Sequence, residues 1–161
     1  MNRRYISAVV WVLALVGCGH GRTIPGTTVL ATETNQEIID SIENYRMNLV
    51  QKNVDGLLLL ASDRYFEDGG TPQASDDYGF EGLRTILLNK LQRVQSIRYD
   101  VEYQAISIKG DMAEVRVFLN GAFELKGEAG DRYRRLSDIH RFVLQRSASG
   151  GSNKWKFLSG M

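Results

Sequence analysis

The feature that most constrains this chain is a change of hydrophobic period at Ser96. Before Ser96, apolar residues recur about every 3.6 residues, as in amphipathic helices, and after it they alternate with polar residues, as in strands with one buried face. The alternating segments are long, and short turns rich in glycine or polar residues separate them. Because tight turns cannot join parallel strands, the second half of the chain is predicted to form one antiparallel sheet.

This predicted sheet contains long strands, and it must curve. Its strands are predicted at residues 97–108, 112–125, 132–147 and 154–159. The alternation slips near Ile106 and Ile108, which indicates a β-bulge. The second strand exceeds the usual length of about five or six residues, so it is expected to bend, and Gly121 lies where a bend can form.

Three helices are predicted before the sheet. Thr34 and Glu37 have the spacing of a capping box just before an apolar stripe, which predicts a helix over about residues 35–51. Asn53 can cap a short second helix, and a helical period predicts the third over about residues 79–95. The fold class is therefore predicted to be α+β, with three N-terminal helices packed on a strongly curved, mainly antiparallel sheet.

Residues 1–17 have the organisation of a signal peptide. Arg3 and Arg4 precede an apolar run from Tyr5 to Val16. This run of about 12 residues is shorter than the roughly 20 that a membrane-spanning helix needs. The segment is therefore predicted to be a removable signal rather than a permanent anchor.

The junction that follows, Leu15-Val16-Gly17-Cys18, resembles a bacterial lipobox. In that motif the peptidase cuts before the cysteine, and the thiol carries a diacylglyceryl group. Cys18 is the chain's single cysteine. The resemblance therefore predicts that Cys18 is lipidated and that its acyl chains, of the palmitate type, anchor the protein to a lipid membrane. The alternative is an ordinary secretory signal followed by an incidental cysteine.

The resemblance also implies a location in the bacterial cell envelope. Because Gly19 follows the cysteine in place of aspartate, known sorting patterns favour the periplasmic side of the outer membrane in a Gram-negative host. Residues 18–34 are rich in Gly and Thr and show no period, which predicts a flexible lipidated tether before a folded domain at residues 35–161.

Charge and composition exclude several classes of function. The formal net charge of +1 provides no bulk attraction to nucleic acid. One cysteine excludes an internal disulfide framework, and two histidines argue against a multi-histidine metal site. The carboxylates of Glu67, Asp68, Asp76 and Asp77 lack the spacing of a calcium-binding loop. No metal and no cofactor is therefore predicted.

The order of elements over residues 35–161 resembles the nuclear-transport-factor-2-like superfamily, which includes SnoaL-like polyketide cyclases and ketosteroid isomerases. Local support comes from the segments Tyr78–Leu83 (YGFEGL), Asp138–Phe142 (DIHRF) and Lys154–Phe157 (KWKF). The resemblance implies that the sheet wraps around the helices as a cone with one open end, where ligands and active sites lie. It also implies a possible homodimer through the sheet face. Since the superfamily includes enzymes, adaptors and assembly modules, the fold does not define the function.

Polar and aromatic residues at the predicted cone are the candidate site residues. Asp138 and His140 share one face of a strand, where a carboxylate can set the imidazole tautomer and raise its pKa, as a general base requires. A polar pair on the wet face of the sheet is the alternative. The predicted pocket residues are Asp63, Tyr65, Tyr78, Tyr99, Tyr103 and Trp155.

Two hypotheses of function remain open from the sequence. The first is a membrane-tethered envelope lipoprotein whose cone domain binds a small apolar ligand or a protein partner. The second is a small enzyme of the isomerase, cyclase or dehydratase type, with Asp138 and His140 as its acid–base groups. Whether the protein is an enzyme is not decided by the sequence.

Overall fold

Three helices precede a four-stranded antiparallel sheet in the computed structural model, which describes residues 21–69, 76–127, 132–148 and 154–161. The predicted α+β fold is confirmed, whereas the predicted signal peptide and Cys18 lie outside the described residues. The elements are α1 (Glu33–Val50), α2 (Val54–Leu60), β1 (Phe66–Glu67), β2 (Tyr78–Gly79), α3 (Phe80–Leu91), β3 (Val94–Lys109), β4 (Met112–Leu125), β5 (Arg132–Arg146) and β6 (Trp155–Ser159).

Helix α1 begins earlier than the sequence predicts. Thr32, rather than Thr34, is the N-cap, because Thr32 has an extended backbone and its side chain accepts a hydrogen bond from the Asn35 amide at 3.1 Å. The predicted cap of α2 is confirmed, since the Asn53 side chain accepts from the Gly56 amide at 3.1 Å. The apolar stripe of α1 is buried as expected.

The segment before α1 is folded rather than tether-like. Thr23 and Leu30 form an antiparallel bridge, and Ile24 and Val29 between them are buried in the core. The Thr28 hydroxyl donates to the Gln104 carbonyl of β3 at 2.7 Å. The prediction of a flexible tether is therefore wrong for residues 23–30. Because the buried core residues of the described chain lie between Ile24 and Phe157, residues 21–161 contain the whole described core.

The main sheet has the strand order β3-β4-β5-β6, and every neighbouring pair is antiparallel. Strand β4 is central, so Gly121 lies between Tyr99 of β3 and Leu136 of β5. The β-bulge that the sequence predicts near Ile106 is observed slightly earlier, as a register shift between Tyr103 and Ala105. Strand β2 was not predicted; it pairs with β1, and two-residue strands are too short to show an alternating pattern.

One face of the sheet, here called the inner face, packs against the helices. It carries the fully buried Phe142 and Leu144 of β5 and Trp155 and Phe157 of β6. The first half of β5 differs, because residues 132–139 are all exposed. The inner face is therefore covered at one end, here called the closed end, and exposed along the first half of β5, here called the open end. We call the inner-face residues at the open end the mouth: Phe123, Leu125, Arg132, Arg134 and Leu136.

No helix within the described ranges is long and apolar enough to cross a membrane.

Truncation of Phe142 is expected to destabilise the domain. Its ring is fully buried and lies 5.6 Å from the Tyr45 ring and 5.5 Å from the Phe157 ring, centroid to centroid. We expect Phe142→Ala to lower the free energy of unfolding by about 3–5 kcal/mol, measured by urea denaturation of residues 21–161. Ile139→Ala on the same strand, where Ile139 is 60% exposed, is the control and should change it by less than about 0.5 kcal/mol. Equal effects would contradict this packing.

Candidate functional site

Four tyrosines from different elements converge on the inner face of the sheet. Tyr45 of α1 meets Tyr99 of β3 edge-on, with the ring centroids 6.1 Å apart. Tyr65, just before β1, lies 6.3 Å from Tyr78 of β2. Burial, followed by the nearness of the other three hydroxyls, raises the pKa of Tyr45 well above its ordinary value. These residues, Tyr45, Tyr65, Tyr78 and Tyr99, are called the tyrosine cluster below.

The hydroxyls of the tyrosine cluster are neutral at physiological pH. Burial raises the pKa of Tyr99 to about 12. The pKa of Tyr65 is raised far above its ordinary value, first by burial and also by the nearby Glu67 carboxylate, and the pKa of Tyr78 is raised by the same two causes. The cluster therefore presents protonated hydroxyls rather than phenolates.

Hydrogen bonds through the Glu67 carboxylate and Gly160 connect Tyr65 to the sheet. Tyr65 donates its hydroxyl proton to Glu67 Oε2 at 2.8 Å, and the Gly160 amide donates to the same oxygen at 2.6 Å. The Met161 amide donates to the Tyr65 hydroxyl at 3.1 Å. Gly160 has φ +94°, and a Cβ there would lie 2.5 Å from the Arg141 carbonyl oxygen, so only glycine fits this position.

His140 joins this network through Gly160 rather than through Asp138. Its Nε2 lies 2.7 Å from the Gly160 carbonyl oxygen, and since a carbonyl only accepts, Nε2 carries a proton in this hydrogen bond. The exposed Asp138 carboxylate instead accepts from the Ile139 amide at 2.7 Å. Asp138 and His140 share the inner face as predicted, but each side chain has a different hydrogen-bond partner.

Three of the predicted pocket residues lie away from the tyrosine cluster. The Tyr103 hydroxyl donates to Glu43 Oε1 at 2.8 Å, which ties β3 to α1. Trp155 is fully buried at the closed end, with the Arg146 guanidinium 4.7 Å above its ring. Asp63 is exposed and lines a surface groove of about 350 Å³ with Arg146. The structure thus brings together Tyr65, Tyr78, Tyr99 and His140 of the predicted set.

Sequence analysis missed two members of the site, Tyr45 and Glu67. Tyr45 lies in the apolar stripe of α1. Its hydroxyl among aliphatic residues was the one sequence feature that could have indicated a place in the site. Glu67 was considered only as one of four carboxylates for a metal. Among the residues that the structure describes, no group of three His, Cys, Asp or Glu side chains could hold a metal ion.

The apolar residues of the mouth lie next to the tyrosine cluster and are partly exposed. Leu136 is 37% exposed, and Phe123 and Leu125 are half-buried. The Phe123 ring lies 6.5 Å from the Tyr99 ring, and a Cβ at Gly121 would lie 3.0 Å from that Phe123 ring. Glycine at this position therefore lets Phe123 lie over the sheet next to Tyr99.

The outer face of the sheet carries fewer apolar residues. Phe118 of β4 lies opposite Ile139 of β5 and opposite Glu102 of β3. Exposed apolar side chains on an otherwise polar sheet face are typical of contact surfaces. The homodimer that was expected through this face stays a prediction.

No family model matches the chain, and no curated protein matches it. Solved structures do match. A conserved protein from Planctomyces limnophilus is 19% identical with a TM-score of 0.65, covering 78% of this chain and 91% of that one. A ketosteroid isomerase-like protein from Erwinia carotovora is 18% identical with a TM-score of 0.60, covering 79% and 92%.

A candidate dehydratase of the NTF2-like family from Streptomyces avermitilis is 13% identical with a TM-score of 0.56, covering 78% of this chain and 91% of that one. These similarities establish the fold: the domain is an NTF2-like cone, as the order of elements predicts. At such low identity they do not transfer a site or an activity.

The raised pKa of Tyr99 predicts a loss of stability at alkaline pH. The unfolded chain releases this proton near pH 10, whereas the folded protein holds it to about pH 12, so the stabilisation is complete below pH 10 and falls as the pH rises between these values. Tyr99→Phe should weaken this alkaline loss, measured by urea denaturation across that range. Tyr133→Phe, at the 71% exposed Tyr133, is the control and should retain the wild-type loss. An unchanged pH dependence in Tyr99→Phe would contradict the assignment.

Proposed function

We propose that this chain is an envelope lipoprotein whose NTF2-like cone binds a small apolar ligand. The observation that carries the proposal is the mouth, where Phe123, Leu125 and Leu136 remain partly exposed above a buried aromatic floor. Small-molecule sites are concave and mostly apolar, with a few polar groups that fix orientation. The neutral hydroxyls of Tyr78 and Tyr99 supply such groups without placing a charge beneath the ligand.

Hydrogen bonding at the floor favours binding over catalysis. Glu67 already accepts from Tyr65 and Gly160, and His140 Nε2 is engaged with the Gly160 carbonyl. A general base needs a lone pair that reaches the substrate, and Asp138 does not bond to His140 to orient it. Because the predicted pair does not act together, isomerase, cyclase or dehydratase activity is the weaker proposal.

The tether is proposed from the lipobox, and the fold of residues 23–30 suggests its geometry. Cys18 is five residues before Thr23, so the chain between them spans at most about 18 Å. Within this segment, Thr28 donates a hydrogen bond to Gln104 of β3. Gln104 lies ten residues along the strand from Val94, and Val94 pairs with Leu125 at the mouth. A lipid at Cys18 would therefore hold the domain close to the outer membrane through a segment that contacts β3 away from the mouth.

Ligand binding is tested with 1-decanol, a neutral apolar probe, by isothermal titration calorimetry on residues 21–161. We expect saturable binding, and Leu136→Glu should weaken it at least about tenfold because a carboxylate at the mouth must be desolvated as the ligand binds. Ser137→Glu adds the same charge at the neighbouring outer-face position and should leave the affinity unchanged. Circular dichroism checks that both variants are folded. No binding to the wild-type protein, or equal weakening by both variants, would overturn the proposal.

Lipidation is tested on the full chain expressed in a Gram-negative host. Radiolabelled palmitate should be incorporated into the wild-type protein, and Cys18→Ser should abolish the label because it removes the only thiol. Gly19→Ala keeps the cysteine and should keep the label. Membrane fractionation should place the labelled protein in the outer membrane. A wild-type chain that carries no label would refute the proposed anchor.

A further inference from the structure

Strand β5 places two arginines at the mouth. The buried Phe142 and Leu144 identify the inner face, and side chains two residues apart on a strand share a face. Counting back in steps of two from Phe142 puts Leu136, Arg134 and Arg132 on that face. The register agrees, because Arg134 lies opposite Phe123 and Arg132 lies opposite Leu125, both on the inner face of β4.

The surroundings of these arginines differ from those of an ordinary surface arginine. Arg141, on the outer face of the same strand, lies across from β4 and forms an ion pair with Glu114 at 3.8 Å. Within the described part of the chain, neither Arg132 nor Arg134 forms an ion pair, and their cross-strand neighbours are apolar. The mouth therefore combines two exposed positive charges with apolar surface.

Among the described residues, the remaining charge on this face leaves the mouth cationic. Asp138 is the acidic residue of β5 on the inner face, and it lies four residues from Arg134, or about 13 Å along an extended strand. Asp138 forms no ion pair with Arg132 or Arg134 among the described residues, and its carboxylate accepts a hydrogen bond from the Ile139 amide. Guanidinium groups bind carboxylates through paired, charge-assisted hydrogen bonds.

We propose that the ligand of this cone is an apolar carboxylate whose charged group binds Arg132 and Arg134 while its apolar body lies against Leu136 and Phe123. This inference rests on the proposed ligand-binding function and specifies the chemical class of the ligand. An unbranched or aromatic acid with one carboxylate fits the pattern, since the mouth has charge at its rim and neutral hydroxyls at its floor.

The test compares two probes that share a chain and differ in charge, decanoate and 1-decanol, on residues 21–161 at neutral pH and low ionic strength. We expect decanoate to bind at least about tenfold more tightly than 1-decanol. The double variant Arg132→Gln, Arg134→Gln should reduce decanoate to the affinity of 1-decanol and leave 1-decanol unchanged. Arg135→Gln, which removes one positive charge from the outer face of the same strand, is the control for net charge and should keep the preference.

The outcomes separate this inference from the function on which it rests. If both probes bind with equal affinity, the carboxylate inference is wrong and the apolar cone remains supported. If neither probe binds, the proposed function is overturned and the inference with it. If Arg135→Gln removes the preference as fully as the double variant, then net charge rather than the mouth selects the anion, and the inference is overturned. Added salt should weaken decanoate binding alone.

Discussion

The contact of Tyr45 with the sheet determines where this domain is filled and where it is open. Its ring lies among Tyr99, Phe142 and Phe157, with centroid distances between 5.3 and 6.1 Å. Aromatic contacts of this kind bury large areas and fix the relative orientation of the elements that carry them. Because α1 is held there, the closed end is packed and the first half of β5 extends beyond the helices.

Gly160 links the polar side chains of the floor. Glu67 is half-buried, and the Gly160 amide and the Tyr65 hydroxyl provide two hydrogen bonds that offset the cost of removing its carboxylate from water. The Gly160 carbonyl also accepts a hydrogen bond from His140 Nε2. The same hydrogen bonds that stabilise this corner of the fold therefore occupy Glu67 Oε2 and His140 Nε2.

The long strands could be predicted from sequence, whereas β2 and the folded segment before α1 could not. The alternating pattern places β4 correctly at Met112–Leu125, and it gives β5 within a residue of its end at Arg146. A period needs several repeats, so β2 and the folded segment anchored by Ile24 and Val29 carry no such signal. Three of the four residues of the tyrosine cluster, Tyr65, Tyr78 and Tyr99, could be predicted as site candidates from their residue type. The fourth, Tyr45, could not, because its position depends on how α1 packs on the sheet.

Alternation along β5 also explains how one strand can contribute to the fold and to the proposed ligand recognition. Its second half buries Phe142 and Leu144, and its first half carries Arg132 and Arg134 on the same face, where no helix covers them. Since burial raises the pKa of Tyr99 to about 12, the floor is neutral while the rim is positive. Polarity therefore changes along a single face of the sheet. A ligand with one charged end can contact both regions only if its apolar end lies at the neutral floor and its charged end lies at the positive rim.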